Sequence, residues 1–148
     1  MSGPFCLQRL RQLVQRQVQE KTFNSTMSKL ELISASEGKC VAELTLEKSH
    51  LNLAGTMHGG VSATLIDNVS TYALLTVTDS RSASVDLNVS FLGPAKEGDV
   101  VRIEASTLRA GQTLAYLTVD IRKGERLLAT GRHTKYLQKN VDYFGNTK

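Results

Sequence analysis

No apolar run in this sequence approaches the roughly 18 to 20 residues that a bilayer-spanning helix needs; the longest candidate is the short stretch from Tyr72 to Val77. A membrane span is not expected. The N-terminus also lacks a continuous apolar core followed by a small-residue cleavage site, because Leu7, Leu10, Leu13 and Val14 are interrupted by Gln and Arg. Secretion is not expected either. Cysteine is scarce: Cys6 and Cys40 lie far apart and match no metal or redox spacing, which reads as a pair of reduced intracellular thiols outside the chemistry. No metal site is expected. With two prolines and no low-complexity tract there is no disordered linker, and four Phe and four Tyr are too scattered to form a stacking platform for nucleic acid.

What is present suits one compact domain. A chain of 148 residues with 41% hydrophobic and 22% charged residues can bury a core without staples or metals. The formal charge of +4 favours anionic partners, yet the basic residues are interspersed with acids rather than gathered in a run. A small polyanion fits that balance at least as well as nucleic acid.

Along the chain, Leu7, Leu10, Leu13, Val14 and Val18 recur at helical spacing among Arg9, Arg11, Gln12, Arg16 and Gln17, which gives an amphipathic helix within 1–22. Three arginines precede the first acid, Glu20, so a cleaved mitochondrial presequence and a docked surface helix both stand as readings. Cytoplasmic and mitochondrial placement stay open with them. Strand-like runs follow at Met27 to Ala35 and Lys39 to Glu47, joined by a Ser36-Glu37-Gly38-Lys39 turn. After a polar loop, His58-Gly59-Gly60 introduces a long, largely buried helix from Val61 to about Thr76. Four alternating runs then read as consecutive strands: Ala83 to Phe91, Val100 to Leu108, Leu114 to Ile121 and Arg126 to Leu137. Their glycine-bearing links, 93–98, 109–112 and 123–125, read as antiparallel hairpins. The order of elements points to an α+β fold, an antiparallel sheet wrapped on one central helix.

Pattern alone does not select among one-helix sheets; a motif does. The segment Asn52-Leu53-Ala54-Gly55-Thr56-Met57-His58-Gly59-Gly60, followed by Asp67-Asn68, resembles the signature of the hotdog-fold acyl-coenzyme A thioesterases. So do Ser84-Val85-Asp86-Leu87-Asn88, Pro94-Ala95-Lys96 and Gly131-Arg132-His133-Thr134-Lys135. The resemblance runs from the N-terminal helix to about Leu137, making 23–137 the hotdog domain and 138–148 a C-terminal tail. It implies hydrolysis of medium- to long-chain fatty acyl-coenzyme A, a homodimer that completes each site, and a tetramer made of two such dimers. No cofactor is implied, since coenzyme A is part of the substrate and product.

The residues suit thioester hydrolysis chemically. A thioester carbonyl needs donors where negative charge develops, and the first amides of a helix point outward unpaired at the positive end of its dipole. Gly59 occupies that position, and loss of one such donor typically raises a barrier by about 2.7 to 4 kcal/mol. The plainer alternative is that both glycines only permit a tight turn. Asp67, in the middle of an apolar helix, is suited to deprotonating a water or attacking directly; the alternative is a structural acid. Eight residues at 1.5 Å each separate it from Gly59 by about 12 Å, too far for both to reach one carbonyl in one chain. The site is therefore expected to span two subunits.

The resemblance assigns Asn52 and Gly59 to polarising the carbonyl from one subunit, and Asp67 and Ser84 to holding the water from the other. The Ser84 hydroxyl is able to donate to Asp67 and accept from water; with no base beside it and no Gly-x-Ser-x-Gly elbow, it is not expected to be a nucleophile. His58 sits beside them, with substrate binding, thiolate protonation, a dehydratase-type proton transfer and a structural role all open. By resemblance the coenzyme A groove is lined by Phe91, Leu92, Gly93, Pro94, Ala95 and Lys96. It is lined further by Arg109, Ala110, Gly111, Gln112, Thr113 and Leu114, with Asp86 and Tyr136. Lys96 and Arg109 supply cations for its phosphates. A non-catalytic acyl-coenzyme A binding module with the same groove is the competing function. A link to Ser84 one residue shorter than usual, and Gly93 where serine is more usual, leave the acyl-chain preference open.

Overall fold

The computed structural model describes residues 3–148; the first two residues of the expected N-terminal helical segment lie outside the described residues. The order is α1 (Leu7–Gln19), β1 (Glu31–Ser36), β2 (Lys39–Thr45), α2 (Gly59–Leu75), β3 (Ser80–Phe91), β4 (Val100–Ala110), β5 (Leu114–Lys123) and β6 (Arg126–Asp142). The strands form one six-stranded sheet in the order β1-β2-β4-β5-β6-β3, with every pairing antiparallel. The inward phases of these strands, including Cys40, Ala42, Leu44, Val101, Ile103, Val119 and Ile121, are buried and close on α2. This is the α+β arrangement that the sequence pattern implied.

α2 is apolar almost all round. Leu65, Ile66, Val69, Tyr72, Ala73, Leu74 and Leu75 are buried, while Gly60, Thr64, Asp67 and Thr71 form a polar stripe at helical spacing that remains accessible. Gly131 on β6 is what lets the helix sit down. A Cβ there would come within 2.8 Å of the Ile66 side chain, so only glycine fits beneath the middle of α2.

Three sequence expectations are corrected. The stretch expected to begin a strand at Met27 instead closes a short 3-10 turn, Phe23–Met27, in which the Thr26 hydroxyl donates to the Phe23 carbonyl at 2.8 Å; β1 starts only at Glu31. The expected hairpin between the first two strands of the second half is absent. β3 pairs with β6, and β4 pairs with β2 and β5, so 92–99 is a crossover. It is pinned where Ala95 is buried and its carbonyl accepts from Met57 N at 2.8 Å. The expected boundary at 137 falls inside β6. That strand runs on to Asp142, Val141 bridges Thr147, and the rings of Tyr143 and Phe144 pack 5.8 and 6.2 Å from Phe5.

The two sheet edges differ. β1 is shielded on one side by α1, whose Arg11 donates to the Leu32 carbonyl at 2.8 Å. β3 has a free edge, and none of its 12 residues is buried. Val85 and Phe91 are 60% and 61% exposed, which is unusual for apolar residues of a long strand.

Candidate active site

The loop before α2 braces itself through one side chain. Asn52 Oδ1 accepts from Thr56 N at 3.1 Å and its Nδ2 donates to Thr56 Oγ1 at 3.0 Å, while Gly55 takes a positive φ of 76° to turn the chain. An amide NH2 has two hydrogens, so this leaves Asn52 one to offer. His58 is the helix N-cap: its Nδ1 accepts from Gly60 N at 2.8 Å and its carbonyl from Val61 N at 2.9 Å. Among the described residues nothing accepts from Gly59 N. Of the helix-start amides it is the open one, at the positive end of a 17-residue helix. Phe91 covers the missing side chain, since a Cβ on Gly59 would lie 3.2 Å from its ring. A cavity of about 320 Å³ adjoins this amide, lined by Thr56, Met57, Gly59, Phe91, Gly93 and Pro94 among others.

The second group of polar residues lies farther along α2. Asp67 projects from the accessible stripe with its side chain 45% exposed. Ser84 does not meet it, contrary to expectation. Its Oγ lies 2.8 Å from His133 Nε2, and that nitrogen is 3.8 Å from Asp67 Oδ1. The opposite ring nitrogen, Nδ1, is 2.8 Å from Ser70 Oγ on α2. Beside this set Lys135 is buried, its Nζ donating to Thr71 Oγ1 at 2.7 Å. Burial pulls the His133 pKa down from 6.5 to about 4, reinforced by the Lys135 charge and opposed by Asp67 and Asp86. The ring is therefore neutral at neutral pH, and its approach to Asp67 is not an ion pair. Lys135 is lowered too, first by burial and against the attraction of Asp67.

His133 and Lys135 are the residues that residue-by-residue reading missed, along with Ser70 and Thr71. A signal existed. On β6 the inward phase runs Gly131, His133, Lys135, Leu137, and all four are buried although two are titratable. A His and a Lys in the core phase of an alternating strand are costly unless paired or used. His133 also supplies the base whose absence made a nucleophilic Ser84 look unsupported.

The remaining groove residues fall into two places. Phe91, Leu92, Gly93, Pro94, Ala95 and Lys96 lie near the start of α2, with Leu92 and Gly93 donating to the Leu128 carbonyl. Ala95 is buried and acts as a strut; Lys96 is exposed, its amide donating to Asp99 at 2.8 Å. Arg109, Ala110, Gly111, Gln112, Thr113 and Leu114 form the β4–β5 turn at the opposite end of the sheet. There Tyr136, 44% exposed, pairs with Ala83 and Leu114, and Asp86 lies opposite Thr134. Phe91 pairs with Ala129 and Ala83 with Tyr136, so the two places are seven residues apart along β6, about 23 Å. One chain does not bring them together.

Comparison with known proteins identifies the family. The sequence profile of the Thioesterase superfamily matches residues 54–130. The chain is 41% identical over 133 residues to acyl-coenzyme A thioesterase 13 of Homo sapiens, an alignment covering 88% of this chain and 95% of that protein. Among solved structures it resembles zebrafish thioesterase superfamily member 2, with TM-score 0.87 and 39% identity over 90% of this chain and 99% of the other. The Mus musculus thioesterase superfamily member 2 gives TM-score 0.76 and 38% identity over 86% and 96%. With its helix-start amide, mid-helix carboxylate and hotdog sheet, the chain belongs to the thioesterase superfamily.

Proposed function

We propose that this thioesterase hydrolyses medium- to long-chain fatty acyl-coenzyme A to free fatty acid and coenzyme A, in a site shared between two subunits. The observation that carries the shared site is that Gly59 and Asp67 lie on one unbroken helix about 12 Å apart. Free β3 edges supply the means of sharing. If two copies pair antiparallel along β3 about Leu87, Ala83 of one stands opposite Phe91 of the other. Ser84 and Asp67 of one subunit then face the Gly59 end of its partner. The same operation brings the 91–96 segment of one copy to the same end of the joined sheet as the 109–114 turn of the other, with Ala83 and Tyr136 between them.

In that site the thioester carbonyl accepts from Gly59 N–H and the spare Asn52 hydrogen. The water oxygen bonds to the carbonyl carbon while Asp67 takes one of its protons. The tetrahedral oxyanion reforms the carbonyl, the C–S bond breaks, and the thiolate takes the proton held by Asp67. Water and thioester become acid and thiol with no other reactant, so no cofactor is required. Lys96 and Arg109 offer charge to the coenzyme A phosphates, and His58 holds the helix start rather than moving a proton. Assembly of dimers into a tetramer and a cytoplasmic or mitochondrial location complete the proposal.

The test is complementation. Asp67→Asn and Asn52→Ala are each expected to cut thiol release about a hundredfold or more, and mixing the two under subunit exchange is expected to restore roughly a quarter of wild-type activity, because hybrid dimers hold one intact site. Exchange shown by mass spectrometry without any recovery would place both groups in a single-chain site.

A further inference from the structure

Ser84 has two faces: one turned to His133 and one to the proposed water. Which way its hydrogen points depends on the ring. The Ser70 hydroxyl has one hydrogen, and the backbone carbonyl of Asp67 lies 3.0 Å away in donor geometry, a back-bond within the helix. Toward His133 Nδ1, 2.8 Å off, Ser70 Oγ is then an acceptor. Bonded in that way, the ring carries its hydrogen on Nδ1. The lone pair of Nε2 faces Ser84 Oγ at 2.8 Å, so the Ser84 hydrogen is drawn inward.

We propose that the Ser70–His133 pair is a positioning device that fixes Ser84 as a hydrogen-bond acceptor toward the catalytic water. Ser84 Oγ and Asp67 Oδ1 both approach the same ring nitrogen, at 2.8 and 3.8 Å. A water between them gives one hydrogen to the carboxylate and the other to Ser84, which leaves an oxygen lone pair for the carbonyl. With the hydrogen of Ser84 turned outward, it would instead donate to that lone pair and blunt the nucleophile. The charged and titratable groups facing the ring are Asp67 from α2, Asp86 from β3 and Lys135 from its own strand. Burial and Lys135 keep it uncharged, so it holds a hydrogen bond rather than taking a proton.

This rests on the hydrolytic reading above, and a wild-type protein that released no thiol would remove that reading. The tautomer is read without turnover. Nitrogen-15 NMR of the histidine ring in the wild-type protein is expected to show a neutral His133 protonated on Nδ1; protonation on Nε2, or a charged ring at neutral pH, overturns the proposal. In kinetics, Ser70→Ala is expected to lower kcat about tenfold with KM unchanged, as the ring loses its anchor. His133→Gln, whose amide offers N–H to Ser70 and oxygen to Ser84, is expected to retain about tenfold more kcat than His133→Ala. Should Gln prove no better than Ala while both fold, the directional role is lost. An acyl group found on Ser84 by mass spectrometry would likewise overturn it, making the serine a nucleophile.

Discussion

The two halves of the proposed site are built by different means, although both hang from α2. The Gly59 half is local: Asn52, Gly55, Thr56, His58 and Gly59 lie in one short segment, and its donor is a backbone amide. The Asp67 half is assembled from afar, with His133 of β6 meeting Ser84 of β3 and Ser70 of α2 across separations of 49 and 63 residues. A local half depends on turn chemistry and a helix end. A long-range half depends on how closely the helix and sheet pack. The two should fail in different ways.

The largest difference should come from Asp67→Asn. It removes the carboxylate placed to take the proton from water while keeping shape and burial, so kcat is expected to fall by roughly a thousandfold with little change in KM. Thiol release with the pure variant checks this; unchanged turnover would end the hydrolytic mechanism. On the other half, Gly59→Ala puts a methyl group 3.2 Å from the Phe91 ring and beside the open amide. A loss of a hundredfold or so in kcat is expected from the spoiled donor, again with the fold intact by circular dichroism.

Legibility follows the same division. The Asn52-to-Gly59 segment could be read because its chemistry is contiguous: a loop, a cap and a helix start leave their residues in order. Asp67 could be read because a carboxylate in an apolar helix is conspicuous, and its distance from Gly59 is fixed by helix geometry. His133 could not be assigned a role, because which strand lies beside β3 depends on a crossover that the 92–99 link disguised as a hairpin. Helices and strands themselves were legible from alternation. The exceptions were the 3-10 turn before β1, where polar side chains compete for the backbone, and the end of β6, beyond which Tyr143 packs on α1 and Phe5.

Acid should weaken the long-range half. His133 has a folded pKa of about 4 against an ordinary 6.5, so below pH 6.5 the unfolded chain takes up a proton that the folded ring refuses. The stability it contributes is complete above 6.5 and is lost progressively down to about pH 4. Asp79 and Asp142 are held below the usual 3.8, Asp79 first by Lys148 and Asp142 first by Asn146, so their losses begin lower. Denaturant unfolding of the wild type across pH 4 to 7 is expected to show a slope on the order of 2 to 3 kcal/mol in total, reduced in His133→Gln. An equal slope in that variant would mean another group titrates.

Gly131→Ala should give a smaller loss and separates the halves more sharply. The added methyl group would stand 2.8 Å from Ile66, the residue before Asp67, and 3.1 Å from the Asn88 carbonyl, so α2 must lift from β6 where the polar network crosses. Overpacking of this kind destabilises by about 1 to 3 kcal/mol. The helix start lies two turns away and is held by its own loop and cap, so Gly59 should keep its place while Asp67 moves off His133 and Ser84. Expected are a lower melting temperature, a reduced kcat and an unchanged KM. A raised KM with unchanged kcat would show instead that the lift travels to the helix start, and that the two halves are one rigid unit.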